Sequence, residues 1–340
     1  MAVYAPSGDN SQPWEFKIGP DFIEIFNLPD RDNAFYNYEQ RGSLVAHGAL
    51  LENICIAAPA QGYRTIINLF PLGEENNLVA RVEFHPTESV RHPLLEAIKA
   101  RTTNRKLYRK DKPLTGEQVH LLQEAHPDYS AGRVFLVDDR TQMDLLGKAV
   151  SVNEVVALEN KKLHDIFFQG IVWTAEEEKE KKRGLYLKTM ELPLPMAKIF
   201  PLFKRWPIVN VLNKIGFAKM AAKGNASIYS SGSAIGLVVI PSRSAIDYIW
   251  AGRLMQRTWL TATQLGLSFQ PVTGVLFLMQ RILTGATEGL EDKHIKALSS
   301  SYEVIKRAFN INNETAAILF RVGYGDFPSA RSSRLPPRII

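Results

Sequence analysis

Apolar and polar residues alternate along the first part of the chain in a pattern that predicts strands around one long helix. Residues Trp14–Ile18 and 22–26 alternate around a Gly-Pro-Asp turn, which predicts two half-buried strands. Residues 43–62 are apolar on nearly every face, so we expect a helix buried in the centre of a domain, with an early end at its proline. Strands near 65–69 and 79–84 complete this first unit.

The pattern is interrupted in the middle of the chain and then returns. Residues 92–100 predict a short amphipathic helix, and Thr115 three residues before Gln118 predicts a capping box at the start of another. Residues 151–225 are less regular. Two prolines in their Lys- and aromatic-rich part, 197–223, argue against one long helix, so we predict an insertion that covers another part of the protein. Order returns with a strand at Ala234–Ile240, a helix at 252–266 and a strand at 316–320.

Two helical segments resemble each other and indicate an internal repeat. Residues 48–63 align without gaps on 252–267, with identities at Gly48/Gly252, Leu50/Leu254, Ala58/Ala262 and Gly62/Gly266. A chain that carries the same unit twice would fold as a pseudo-dimer with two central helices packed across a local two-fold. We therefore predict an α+β fold of two unequal repeats, each with an antiparallel-type sheet packed on central helices. The repeats are residues 1–90, which we expect to be truncated, and 91–340, with a lid-like insertion at about 160–225.

Composition narrows the possible functions. The 340 residues carry a formal charge of +6 and 45% hydrophobic residues, typical of a globular protein, and we expect no apolar run long enough to span a bilayer. The single cysteine, Cys55, and the lack of a signal peptide predict a cytoplasmic location. No metal-ligand spacing occurs, so we predict no metal site, and both common Gly-rich phosphate loops are absent.

The most concentrated candidate chemistry is the stretch Arg101-Thr102-Thr103-Asn104-Arg105. Two arginines flank two hydroxyls and an amide at the end of the amphipathic helix, and no carboxylate lies among them. Guanidinium groups bind phosphate oxygens in a bidentate manner, and the shorter side chains add further donors. The stretch therefore predicts a phosphate-binding site, against the alternative of surface cations that stabilise a helix C-terminus.

Several further motifs accompany this stretch. Residues 94–105 read Leu-Leu-Glu-Ala-Ile-x-x-Arg-x-Thr-x-Arg, and 5–14 read Ala-Pro-Ser-x-x-Asn-x-Gln-Pro-Trp. Others are Gly-x-x-x-Gln at 252–256, Gln-Pro-Val-Thr-Gly at 270–274, Arg-Val-Gly-Tyr at 321–324 and Arg-Ser-Ser-Arg at 331–334. Together they resemble the nitroreductase superfamily of flavin-dependent oxidoreductases. Two fused repeats in one chain are similar to its Acg-like branch.

The resemblance implies a cofactor and the residues that hold it. Members are normally homodimers with FMN in the subunit interface, so one shared FMN site between the two repeats is implied here, complete only once because the turn at 129–132 lacks the N-terminal motif. Three residues would hold the phosphate and ribityl chain, helped by Arg331 or Arg334: Arg101, Thr103 and Arg105. Four would line the isoalloxazine ring: Pro6, Ser7, Gly8 and Asn10. The other face would be covered by Pro271, Val272, Thr273 and Gly274, with backbone N–H groups near N5 and O4. No catalytic residue is identified.

Three functions follow as hypotheses. The leading one is an FMN-dependent oxidoreductase that takes electrons from NAD(P)H and passes them to a small-molecule acceptor such as a nitroaromatic or a quinone. The second is a flavin-binding or sequestering protein with a closed lid and little turnover, suggested by the insertion. The third, a basic membrane-peripheral or nucleic-acid module, depends only on charge and on residues 197–223. We expect a monomer with a pseudo-dimeric fold or a weak homodimer, with no nucleic-acid partner and no integral membrane association.

Overall fold

A computed structural model describes residues 1–126 and 132–340 of the chain, so most of the predicted turn at 129–132 lies outside the described residues. The fold is α+β, as predicted. Its strands are β1 (Trp14–Ile18), β2 (Phe22–Asn27), β3 (Tyr63–Leu69), β4 (Leu78–Pro86), β5 (Arg133–Val137), β6 (Ile171–Val172), β7 (Leu185–Tyr186), β8 (Ala234–Ile240), β9 (Ser268–Pro271) and β10 (Thr315–Gly323).

The helices of the described residues are distributed unevenly, with few in the first unit and many in the second. In chain order they are α1 (Arg41–Ala57), α2 (Leu95–Ala100), α3 (Gly116–Gln123), α4 (Arg140–Val150), α5 (Val152–Glu159), α6 (Lys161–Gln169), α7 (Ala175–Lys181), α8 (Leu194–Ile199), α9 (Trp206–Asn213), α10 (Phe217–Tyr229), α11 (Ala245–Gln264), α12 (Gly274–Leu283) and α13 (Asp292–Ala308).

Two four-stranded antiparallel sheets have the same topology. One has the order β1-β2-β4-β3 and the other β5-β8-β10-β9, so each places its first, second, fourth and third strand side by side. In each unit the central helix follows the second strand: α1 follows β2, and α11 follows β8. The shared topology supports the predicted repeat.

The two central helices, α1 and α11, cross at Gly48 and Gly252. Each glycine lies against the backbone of the opposite helix. A Cβ on Gly48 would lie 2.0 Å from the carbonyl oxygen of Ile249, and a Cβ on Gly252 would lie 2.0 Å from that of Val45. In the sequence repeat Gly48 aligns with Gly252, and by the same spacing Val45 corresponds to Ile249. Each contact is therefore the image of the other, as a local two-fold requires.

Buried polar side chains follow the same symmetry next to this crossing. Arg257 Nε donates to Glu52, 2.5 Å away, and Gln256 Nε2 donates to Asn53 Oδ1 at 2.7 Å. In the alignment Glu52 corresponds to Gln256 and Asn53 to Arg257, so these two contacts exchange under the two-fold. The pseudo-dimeric organisation and its domain boundaries stay a prediction, which the paired contacts support.

One expectation about apolar runs is wrong. The helical stretch Tyr38–Gln61 is long and apolar enough to cross a bilayer by length and composition, although 78% of its most apolar window is buried inside the protein. Its apolar character is explained by its position, because α1 packs between the first sheet and α11 and exposes almost none of its length.

Other expectations differ in detail. The capping box at Thr115 is confirmed, since its side chain accepts from Gln118 N and Gln118 reaches back to Thr115 N. The helix predicted at 252–266 instead begins at Ala245, because Ser244 caps it and accepts from Asp247 N. Residues 151–225 are regular and largely helical rather than irregular. Their prolines separate short helices, and a core rich in aromatic residues, with Phe168 and Phe203 packed beside Val209, holds these together.

Candidate functional site

A pocket of about 560 Å³, including its open mouth, forms where four parts of the chain meet. These are the N-terminal turn, the segment that follows α2, the C-terminal tail and the insertion. The pocket is lined by eight of the thirteen residues that the resemblance indicated: Pro6, Ser7, Asn10, Arg101, Thr103, Arg105, Arg331 and Arg334. That these residues hold a cofactor stays a prediction.

Arg101 is held rigidly at the base of this pocket. It is the first residue after α2, its backbone turns away from the helix, and its side chain is 1% exposed. Its guanidinium group lies over the ring of Trp259 at 4.3 Å and donates through Nη2 to the carbonyl of Tyr4 at 2.8 Å. The residue is therefore not a surface cation at a helix end.

The C-terminal tail adds two more arginines to the same pocket. Arg331 Nη2 donates to the backbone carbonyl of Arg101 at 2.8 Å, and Arg334 Nη1 donates to Asn10 Oδ1 at 2.7 Å. Burial, then repulsion from Arg334 and Arg331, lowers the pKa of Arg101 well below its usual value. Burial and the charge of Arg331 lower the pKa of Arg334 to about 10. The three positive charges thus destabilise one another.

The donors of this cluster are incompletely used, which fits an anionic ligand. Among residues 1–126 and 132–340, Arg101, Arg105, Arg331 and Arg334 form no ion pair with a carboxylate within 4.0 Å. The buried Nε atoms of Arg101 and Arg334 have no hydrogen-bond partner in the same part of the chain. A buried, unpaired charge is costly, and a phosphate bound by several guanidinium groups would remove most of that cost. The residues present therefore fit a phosphate-bearing group.

Arg105 and Asp9 extend the pocket away from this cluster. Arg105 Nη1 donates to the carbonyl of Thr189 at 3.2 Å, so part of its donor capacity is bound by the insertion. Asp9 lines the pocket and remains accessible to solvent, yet the protein around it raises the pKa of its carboxyl, while Arg105 opposes this shift. One end of the pocket is thus purely cationic and the other mixes both charges.

The N-terminal turn has an unusual backbone. Asp9, Asn10 and Gln12 have φ angles of 44°, 56° and 52°, in the left-handed region that costs energy for residues other than glycine. The surroundings hold this conformation, because Asn10 Nδ2 donates to the carbonyls of Lys182 and Ser333 and Gln12 Nε2 donates to Lys182 at 2.7 Å. Asn10 thus binds the insertion and the tail, where the resemblance implied contact with a flavin ring.

Asp9 is close to a second carboxyl, that of Asp32. Burial, then the charge of Asp9, raises the pKa of Asp32 to about 7, although Asn33 N donates to its Oδ1 at 2.7 Å. The Oδ2 atom of Asp32 would lie 3.0 Å from a Cβ on Gly8, which explains the glycine there and places Gly8 behind the pocket rather than in its lining.

We expect Asp32→Asn to stabilise the protein at alkaline pH and to have little effect at acidic pH. The pKa of the carboxyl is about 7 in the folded protein, against an ordinary value of 3.8. The ionised carboxylate therefore lowers the free energy of unfolding. This loss is absent below pH 4, grows as the pH rises and is complete above pH 7. At pH 8 the melting temperature of the variant should exceed that of the wild type by roughly several degrees. The two proteins should melt together near pH 4, and a constant difference across this range would contradict the assignment.

The insertion forms part of the wall of the pocket. Gly184, Leu185 and Thr189 line it from above. The insertion is attached to the C-terminal tail at two points. Glu178 accepts from Ser333 N and Oγ at 2.6 and 2.8 Å, and Glu191 accepts from Ser329 N and Oγ. The insertion therefore contributes to the wall of the pocket and is tied to the tail by polar contacts, while its role as a lid stays a prediction.

The segment Pro271–Gly274 does not line this pocket, contrary to the role that the resemblance gave it. Pro271 ends β9 and pairs with Phe320, and Val272 N donates to Leu319 O at 2.7 Å. The Val272 N–H is thus bound within the fold. Thr273 precedes α12, and a Cβ on Gly274 would lie 2.4 Å from Asn153 Oδ1, so α5 covers this segment.

Sequence reasoning missed several lining residues. Thr102 and Asp9 lie inside recognised motifs but had no assigned role, and the insertion and tail add Gly184, Leu185, Thr189, Ala330 and Ser332. Thr102 could have been found from its place between Arg101 and Thr103. The insertion residues carry no signal of their own, since only folding brings them over the pocket.

Comparison with known proteins gives distant relatives, while no family model matches the chain. An uncharacterised protein of Mycobacterium tuberculosis is 24% identical over 284 residues, which cover 82% of this chain and 38% of that protein. "Putative NAD(P)H nitroreductase acg" of the same species is 31% identical over 110 residues, 31% of this chain and 33% of that protein. The chain thus spans about a third of the length of these curated relatives.

Solved structures are less similar. The FMN-dependent nitroreductase NfnB of Mycobacterium smegmatis, in complex with NADPH, covers 72% of this chain and 94% of its own at 12% identity, with a TM-score of 0.38. Similarity at that level has no bearing on function. The relatives in sequence have more weight, and they confirm that the chain resembles the nitroreductase superfamily, including its Acg-like members, as its motifs indicated.

Proposed function

We propose that the protein is an FMN-dependent oxidoreductase of the nitroreductase type, with its flavin phosphate bound by the arginine cluster. One observation carries the proposal: Arg101, Arg331 and Arg334 meet beside the N-terminal turn, and among the described residues the buried Nε atoms of Arg101 and Arg334 have no hydrogen-bond partner. Names of relatives such as "Putative NAD(P)H nitroreductase acg" support the same reaction class and suggest NAD(P)H as electron donor.

Each part of the pocket would have a distinct role. The arginine cluster would bind the phosphate, and Thr102, Thr103 and Ser332 would donate to it or to the ribityl hydroxyls. Bound FMN would supply the two-electron chemistry. Asp9, whose pKa the surrounding protein raises against the opposing charge of Arg105, would face the bound group at the other end of the pocket. The insertion would exclude water from the bound group.

An absorption spectrum of the protein purified without added cofactor tests this function. We expect a flavin band that bleaches quickly when NADPH is added without oxygen, and reoxidation by a nitroaromatic or a quinone. A protein that stays colourless after incubation with FMN would contradict the flavin site. A flavin band that persists with NADPH would contradict turnover but not flavin binding.

The closed insertion favours one alternative, a protein that holds flavin with little turnover. Its contacts to both the N-terminal turn and the tail leave the pocket covered, with Asn10 and Gln12 bound to Lys182 on one side and Glu178 bound to Ser333 on the other. In that case the insertion would keep flavin in and electron donors out.

Opening one of these contacts should distinguish the two functions. Glu191→Ala removes the acceptor for Ser329 N and Oγ, and two hydrogen bonds to a charged group contribute about 1.5–3 kcal/mol or more. We expect flavin to dissociate roughly tenfold faster as a result. The exposed Glu180→Ala on the same insertion is the control, with an unchanged rate. If reduction by NADPH speeds up in Glu191→Ala, the insertion limits access of the donor; an unchanged dissociation rate would show that this contact does not close the site.

A further inference from the structure

The outer face of the insertion is apolar where it meets solvent. Along α8, the turn Phe200–Lys204, α9 and α10, six large apolar side chains are between 44% and 83% exposed. They are Leu194, Ile199, Leu202, Val211, Ile215 and Met220. Single exposed apolar residues are common, but six large ones within one segment, 194–220, are typical of an interaction surface.

This face is not a by-product of an incompletely packed core. Val209 and Val211 lie two residues apart on α9, and the first is fully buried in the insertion's aromatic core while the second is 61% exposed. On α10, Met220 is 65% exposed between the buried Ala218 and Ala222. The helices thus have a complete inner face and a second apolar face that has no partner among the described residues.

The same face is strongly basic. From residue 192 to 246 the sequence contains no Asp or Glu. Lys198, Lys204, Arg205, Lys214, Lys219 and Lys223 are all exposed, and none forms an ion pair among the described residues. An adjacent open groove is also mainly basic, since Lys110, Lys148, Lys219 and Lys223 line it against one carboxylate, Asp144, and its other lining residues include Val152 and Val155.

We propose that this face docks on the surface of a lipid bilayer rich in anionic lipids. Helices that lie in the interface plane combine exposed aliphatic side chains with surrounding Lys and Arg, as here, because the apolar groups enter the acyl boundary while the cations attract lipid headgroups. A second copy of the same face would bring two clusters of positive charge together. Nucleic acid would leave the aliphatic side chains without a stacking partner. The proposal does not depend on the flavin site.

Sedimentation with lipid vesicles tests the proposal. The full-length protein should sediment with vesicles of phosphatidylcholine and phosphatidylglycerol in equal parts, and remain in solution with phosphatidylcholine alone. Binding should weaken as salt is added, because the Lys and Arg charges are screened. Lys214→Gln with Lys219→Gln should bind about 25-fold more weakly, at about fivefold for each basic residue removed.

A second pair of variants tests the apolar part separately. Val211→Ser with Ile215→Ser should bind the mixed vesicles at least about tenfold more weakly, since two exposed side chains that enter the bilayer are lost. Matched controls should bind like the wild type: Arg64→Gln with Lys296→Gln for charge, and Leu72→Ser with Val90→Ser for apolar surface.

All these positions are exposed, so far-UV circular dichroism should show an unchanged fold for every variant. Three results would overturn the proposal. One is no binding to the mixed vesicles. Another is equal binding by the docking variants and their controls. The third is a dimer, or a salt-dependent DNA complex, that disappears in the same variants while vesicle binding does not.

Discussion

Arg101→Met should weaken FMN binding by about 100-fold while it leaves the binding of riboflavin nearly unchanged. Arg101 is buried, its Nε has no hydrogen-bond partner among residues 1–126 and 132–340, and it lies with Arg331 and Arg334 in one pocket. Loss of a charge-assisted contact to phosphate weakens binding by about 2–5 kcal/mol. Riboflavin has no phosphate, so its binding does not depend on this contact. Methionine keeps the flexible side chain over Trp259. Fluorescence titration with both ligands measures the ratio.

The stability of the ligand-free protein should respond differently. Burial and two neighbouring arginines lower the pKa of Arg101, so its charge destabilises the folded protein when the site is empty. Methionine removes this charge, but it also removes the hydrogen bond to Tyr4 O, and the two effects oppose each other. We expect a melting temperature close to that of the wild type.

Arg41→Met is a suitable control. Arg41 is buried away from the pocket, paired with Glu39 and Gln280, so its loss should lower stability without changing the ratio of FMN to riboflavin affinity. If Arg101→Met bound FMN as tightly as the wild type, the cluster would not be the phosphate site.

Alanine at either crossing glycine should strongly destabilise the fold. In Gly48→Ala or Gly252→Ala the new Cβ would lie 2.0 Å from a backbone carbonyl oxygen of the opposite helix, and backbone cannot give way as a side chain does. The two central helices would have to separate, which also strains the Glu52–Arg257 and Asn53–Gln256 contacts. Overpacking typically costs about 1–3 kcal/mol, and a contact with backbone on both helices should exceed about 3 kcal/mol.

The same substitution elsewhere provides a control of opposite sign. Gly224 lies inside α10 with no atom within 4 Å of the Cβ that alanine would add, so Gly224→Ala should stabilise the protein by about 0.5–1 kcal/mol. Thermal unfolding of the three variants compares them directly. Equal melting temperatures for Gly48→Ala and Gly224→Ala would show that the helices do not approach as closely as described. If the repeat is correct, Gly48→Ala and Gly252→Ala should have similar effects.

Much of the fold could be read from local patterns. Strands β1 and β2, the burial of α1 and the capping box before α3 each follow from side-chain periodicity or from a local hydrogen bond, which neighbouring residues are enough to specify. The alignment of Gly48 with Gly252 was also visible in the sequence. The structure explains why both positions are glycine, because the two helices cross too closely there for a Cβ atom. The Arg101–Arg105 stretch was identified because its residue types are unusual together.

Other features depended on the assembled structure. The order within 151–225 was missed because its short helices are stabilised by an aromatic core whose members are distant in sequence, such as Phe168 and Phe203. The N–H of Val272 donates to Leu319 O, in a strand that follows two helices later in the chain, so this hydrogen bond could not be foreseen from the local sequence. Lining residues such as Thr189 and Gly184 have no distinguishing local pattern.

The sequence by itself indicated which chemical groups this protein could use: arginines with no carboxylate among them, a Pro-Ser-Gly-Asp-Asn turn and two segments that resemble each other. These are properties of composition and spacing. Only the tertiary structure decided that Arg331 and Arg334 join Arg101, that Asn10 binds the insertion, and that the basic apolar face of that insertion points to solvent. The reason is physical, because burial and charge repulsion depend on distances between residues that the chain places hundreds of positions apart.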